Sequence, residues 1–121
     1  MWRILLIAFL IAHAAIHLAI WLPPLKPDAA FDPNSSWLVG GQRGLAVTLA
    51  VIAGALLAAG GVGLWMEGSW WRVITVAGLV ASFLLMVSFF QAWFIPIQVI
   101  NAVLIVALLW LDWPSEAMVG A

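Results

Sequence analysis

The sequence predicts an all-α membrane protein: a four-transmembrane-helix up-and-down bundle with a long first loop. Composition, segment length and tryptophan placement carry that reading. Of 121 residues, 67% are hydrophobic and 7% charged, with a mean hydropathy of +1.20. Soluble domains run near roughly 45–50% apolar and about 25% charged. A soluble fold of this length has no interior large enough for so much apolar surface, so lipid must solvate most of it.

Four apolar segments stand out in order. Each is roughly as long as the ~20 residues needed to cross a hydrocarbon core. The first, about 3–22, has a basic start and stops at Pro23-Pro24. A secretory leader is the alternative reading of this segment, against which two histidines would be unusual in the apolar stretch. The second runs from about 44 to 66 and the third from about 70 to 93, joined by the tight turn "MEGSWW". The fourth, about 96–112, follows the nearly loopless "QAWFIP". Pro96 reads as its first residue, where a missing N–H costs nothing. The loop at 23–43 holds four of the six prolines, with Lys26, Asp28, Asp32 and Arg43, and is aqueous or interfacial. The chain reads as one domain, 1–121, with no internal repeat.

Trp2, Trp65, Trp70, Trp71, Trp110 and Trp113 fall at one end of the predicted bundle, and Trp21, Trp37 and Trp93 at the other. None falls at a midplane, the pattern of interfacial belts. The basic residues tie, Arg3 and Arg72 against Lys26 and Arg43. The α-amino group and the long Pro/Asp loop then favour cytoplasmic termini.

Net charge is −1 with no basic run, which gives nucleic acid no footprint. The absence of cysteine excludes disulfides, thiol chemistry and thiolate metal sites. "AAGGVG" at 58–63 resembles a phosphate loop but lies inside a membrane segment with no strand before it. The sequon "NSS" at 34–36 is short and common by chance. Ala46, Ala50, Gly54 and Ala58 form a small-residue stripe at i, i+4 spacing, which permits close helix approach inside the bundle or between protomers. Asp112, Glu116, Glu67 and Arg72 read as solvated interfacial charges.

The chemistry-bearing stretch is "IAHAAIHLAIW", 11–21, which holds both histidines on one face of segment one. At 1.5 Å per residue, His17 lies about 8 Å and His13 about 14 Å below the loop-one end. Ser88, Gln91, Gln98, Asn101 and Thr48 fall in the same half, and Thr75 and Ser82 in the other. Polar groups in hydrocarbon normally face the bundle interior or a water-filled cavity. We therefore expect a polar-lined pocket of His13, His17, Gln91, Gln98 and Asn101, with Trp37, Asp28, Asp32 and Arg43 from loop one across its mouth.

Several uses of that pocket stay open. The polar groups can simply hydrogen-bond across helices. His13 and His17 can share a metal ion, with Asp28 or Asp32 as third ligand. Haem needs axial ligands on opposite faces, so it would take a second copy or a methionine such as Met86. His17 or His13 can act as acid/base beside Asp32 or Asp28. His17, nearer the mouth, is expected to carry function, and His13 stability. The leading reading is a small membrane protein binding an apolar ligand or partner. The alternatives are a membrane enzyme using His13 and His17, and an accessory subunit in a homo-oligomer or larger membrane complex. No cofactor is identified.

The stretches "AHAAIHL", "FDPNSSWLVGG" and "FFQAWFIPIQVINAVLIVAL" together resemble a group of small four-helix bacterial membrane proteins, and more distantly the DoxX-like group in hydropathy. The resemblance implies a four-helix bundle in a bacterial inner membrane, and carries over no catalytic residue.

Overall fold

A computed structural model describes residues 1–24, 26–29 and 32–120. Four long helices dominate it: α1 (Trp2–Trp21), α2 (Arg43–Trp65), α3 (Trp71–Ser88) and α4 (Ile95–Leu109). A 3-10 turn, Ala92–Phe94, leads into α4, so that segment too is long and apolar enough to cross a membrane. Loop one contains an antiparallel pair, β1 (Ser35–Ser36) and β2 (Gly40–Gly41), with Ser35 opposite Gly41. A short α5 (Glu116–Val119) closes the described chain. Its Val119 is buried in the same core cluster as Leu10 of α1 and Leu57 of α2.

The two ends of the bundle are fixed by different contacts. At the terminal end Arg3 pairs with Glu67, and Trp2 meets Trp113 edge-on with ring centroids 5.9 Å apart. Glu67 takes a left-handed conformation, φ 57°, while the Gly68 N–H returns to the Gly63 carbonyl at 2.9 Å. That arrangement ends α2 and starts the turn. Arg72 donates to the Pro114 carbonyl at 2.7 Å and lies 3.6 Å from Asp112, so it is a bridge rather than a free solvated charge.

At the opposite end, loop one is stitched to α3. The Trp37 indole N–H donates to the Val87 carbonyl at 2.7 Å, and the Ser36 hydroxyl donates to the Ser88 carbonyl. The last carbonyls of a helix have no intrahelical donor and need an outside one. Loop one supplies it. This is the physical reason α3 ends at Ser88, where the hydrophobic pattern alone runs on to Trp93. Arg43 does the same for α1, donating to the Leu22 carbonyl at 3.1 Å.

Two tryptophans depart from the belt expectation. Trp21 and Trp71 are each 1% exposed and belong to the core, whereas Trp37, Trp65, Trp93 and Trp110 stand on the surface. An aromatic residue at a helix end serves either role, and only its facing decides.

α2 is the packing hub, lying closely against both α1 and α3. Its small residues explain why. A Cβ built on Gly54 would sit 3.4 Å from the Ala14 carbonyl oxygen of α1, and Ala46 and Ala50 are fully buried. The stripe is thus buried within the chain at these three positions, Gly54 against α1, and Ala46 and Ala50 in a cluster with Trp21 of α1 and Leu85 and Met86 of α3. Gly54→Leu should force the two backbones apart and cost about 1–3 kcal/mol. Gly54→Ala, at ordinary contact distance, should be close to neutral. Unfolding in mixed detergent micelles distinguishes the pair, and equal stability of the leucine variant and wild type would place the stripe on a loose surface.

Candidate functional site

Periodicity brings His13 and His17 to the inner face of α1, where both are buried. The ring nitrogens then find partners on α3 and α4. His13 Nε2 donates to Asn101 Oδ1 at 2.9 Å. Asn101 Nδ2 donates to Ser82 Oγ at 2.9 Å and to Gln98 Oε1 at 3.1 Å. Ser82 Oγ lies 2.7 Å from His17 Nε2, and His17 Nδ1 lies 2.8 Å from the His13 carbonyl oxygen. Gln98 Nε2 donates in turn to the Phe83 carbonyl at 3.2 Å.

The direction of each bond follows from the atoms. A carbonyl oxygen only accepts, so His17 carries its proton on Nδ1, and Nε2 of the neutral ring accepts from the Ser82 hydroxyl. Ser82 is then free to accept from Asn101. By the same logic His13 carries its proton on Nε2. The network is consistent throughout and links α1, α3 and α4. His17, Ser82 and Asn101 have no accessible surface, and His13 keeps 3%. Buried polar groups of this kind are stable in an apolar interior only when paired.

Ser82 is the residue that sequence reasoning misses. Placed by a helix running to Trp93 it falls in the far half. With α3 ending at Ser88 it stands within two turns of the loop-one end, level with His17. The corrected helix end is the signal that finds it.

The expected mouth at loop one is closed. Trp21 stacks on His17 at 5.9 Å and against Phe94 at 5.3 Å, and its indole N–H donates to the Pro33 carbonyl at 2.9 Å. Trp21 and Phe94 are each 1% exposed and form a lid over His17. The loop-one residues assigned to the pocket are spent elsewhere. Asp28 is exposed, and Asp32 turns a carboxylate oxygen to the Asn34 N–H at 2.9 Å. Gln91 is extended, not helical, and donates to the Asp32 carbonyl at 3.0 Å. Trp37 and Arg43 cap helix carbonyls on the surface, as described above. Thr48 is exposed and bonds back to Gly44.

Neither aspartate contacts a histidine, and among the described residues no group of three or more His, Cys, Asp or Glu could hold a metal ion. Both nitrogens of His17 are engaged within the bundle. Met86 is fully buried in the cluster of Trp21, Leu85 and Phe89. Among the described residues, His13 and His17 thus stand without a third His, Asp or Glu beside them.

An apolar open space lies in the other half, between α1 and α4, which do not pack closely on each other. A crevice of about 390 Å³ separates them. Leu5, Leu6 and Phe9 of α1 line it together with Ile100, Val103 and Leu104 of α4, and Trp2 and Trp113 stand at its terminal end. Its walls are apolar. One helical turn beyond Phe9 and Leu104, the His13–Asn101 bond spans the gap, the one hydrogen bond between α1 and α4 among the described residues. Phe9 stacks on the His13 ring at 5.4 Å, which ties the crevice wall to the network.

No protein-family model, curated protein or solved structure matches the chain.

Proposed function

We propose that this is a small multi-pass protein of a bacterial inner membrane, with both termini cytoplasmic, that binds an apolar small molecule in the crevice between α1 and α4. The resemblance to small four-helix bacterial proteins supports the compartment. The crevice carries the binding reading. At about 390 Å³ it falls within the range of small-molecule sites, roughly 300–1,000 Å³. Two packed walls with nothing between them forgo dispersion contacts that an apolar occupant restores. The sealed polar network supports the crevice rather than a loop-one pocket as the binding place.

The acid/base and metal alternatives have weaker support, because His17 offers no surface to a substrate and both its nitrogens are in use. The accessory-subunit alternative rests on coverage: the α1 and α4 spans are 28% and 22% buried, against 39% for α2 and α3. A partner helix would seat on that same side.

One experiment separates the two. Leu5→Trp combined with Val103→Trp fills the crevice from both walls. Native mass spectrometry of protein released from mild detergent should show an apolar adduct on wild type that the filled variant lacks, at unchanged oligomeric mass. Loss of a larger assembly instead favours the accessory subunit. An adduct retained in full by the filled variant refutes the crevice.

A further inference from the structure

We infer, on the reading that the crevice holds an apolar molecule, that the occupant carries a hydrogen-bond donor, a hydroxyl on an otherwise apolar skeleton, and presents it to Nδ1 of His13. The crevice is apolar along its length but ends one turn short of the only part of the network that is incomplete. His17 uses both ring nitrogens, whereas His13 uses Nε2 alone. Its Nδ1 has no hydrogen-bond partner among the described residues, in a side chain that is 97% buried by its 3% exposure. The fully buried side-chain atoms without a partner among the described residues are Asn34 Oδ1 and Thr75 Oγ1. Nδ1 of His13, unbonded but not sealed off, keeps the small access of its residue and stays open to a partner.

The network also fixes what kind of partner. Asn101 directs its two amide hydrogens to Ser82 and Gln98, so Oδ1 faces His13 and can only accept. That holds the His13 proton on Nε2 and leaves a lone pair on Nδ1. An alcohol or phenol O–H satisfies this lone pair. A ketone or quinone oxygen, an acceptor itself, does not. Phe9, stacked on the ring and lining the crevice, is the side chain that must turn for the hydroxyl to arrive.

The structure thus points to discrimination between two molecules of nearly equal size and hydrophobicity. A neutral hydrogen bond formed in such a site corresponds to about five- to tenfold in affinity.

The test uses the full chain in nanodiscs, with radiolabelled 1-hexadecanol and 2-hexadecanone as probes. Wild type should bind the alcohol about five- to tenfold more tightly than the ketone. His13→Phe, which keeps an aromatic ring against Phe9, should bind both with the ketone's affinity. Should that variant fail to fold, nitrogen-15 NMR of histidine-labelled wild type answers alone. The alcohol should shift the unprotonated His13 Nδ1 resonance, and the ketone should not. Equal wild-type affinities, both lost on filling with Leu5→Trp and Val103→Trp, would overturn donor selection and leave the crevice standing. No saturable binding of either probe removes the crevice and this inference together.

Discussion

His17→Ala is expected to lower the stability of the bundle by about 2–4 kcal/mol while leaving crevice binding in place. The imidazole bridges the His13 carbonyl and Ser82, and it fills the space beneath Trp21. Alanine deletes both hydrogen bonds, strands the Ser82 hydroxyl and opens a void under the lid. Hydrogen bonds between membrane helices contribute only about 0.6–2 kcal/mol each, so the void supplies the larger part. Tryptophan fluorescence through an SDS titration measures it. Wild-type stability in this variant would mean the space refills and the network is dispensable. With stability lowered and binding retained, the division of labour between the histidines would be the reverse of the one depth alone suggests. Closeness to loop one favours His17 for function, but the lid removes its access. His13, a turn deeper, keeps the unused nitrogen.

Gly60→Leu should cost about 3 kcal/mol or more, exceeding Gly54→Leu. A Cβ on Gly60 would fall 2.1 Å from Thr75 Oγ1 and 3.2 Å from Thr75 Cα, so α2 meets the backbone of α3 there. Thr75 is fully buried and its hydroxyl has no hydrogen-bond partner among the described residues. Thr75→Ala should therefore be near neutral alone, and should recover part of the loss in Gly60→Ala by removing the nearest atom. A double-mutant cycle in detergent reads this coupling. Simple additivity would mean that backbone separation, not the hydroxyl, sets the cost.

Much of the architecture was legible because lipid imposes a blunt requirement on length and polarity. Pro23-Pro24 stops α1, and "MEGSWW" marks the second turn. The end of α3 was not legible, because it depends on Ser36 and Trp37, some fifty residues away, donating to its last carbonyls. Depth measured from a helix running to Trp93 puts Ser82 in the far half and Gln91 in the pocket, and an end at Ser88 reverses both. The lid was hidden for a similar reason. Trp21 carries the signature of an interfacial residue, and only its bond to Pro33 turns it inward. The crevice leaves no mark in the sequence, since a gap between two apolar faces has the same composition as a contact between them.

The helices of the bundle are unequal in height, and the surrounding bilayer must respond. At helical rise α2 measures about 34 Å, whereas the 3-10 turn with α4 measures about 28 Å. One flank of the protein therefore stands roughly a helical turn taller than the other. A hydrocarbon layer near 30 Å meets this by thinning beside α4 or by tilting the whole bundle. Either response shortens the path from the headgroups into the α1–α4 seam. α3, with 18 residues and about 27 Å, is as short as the α4 span. Lipids with shorter or more disordered tails therefore fit best against the α3–α4 flank, one wall of the crevice included, and the protein should sort its own annulus.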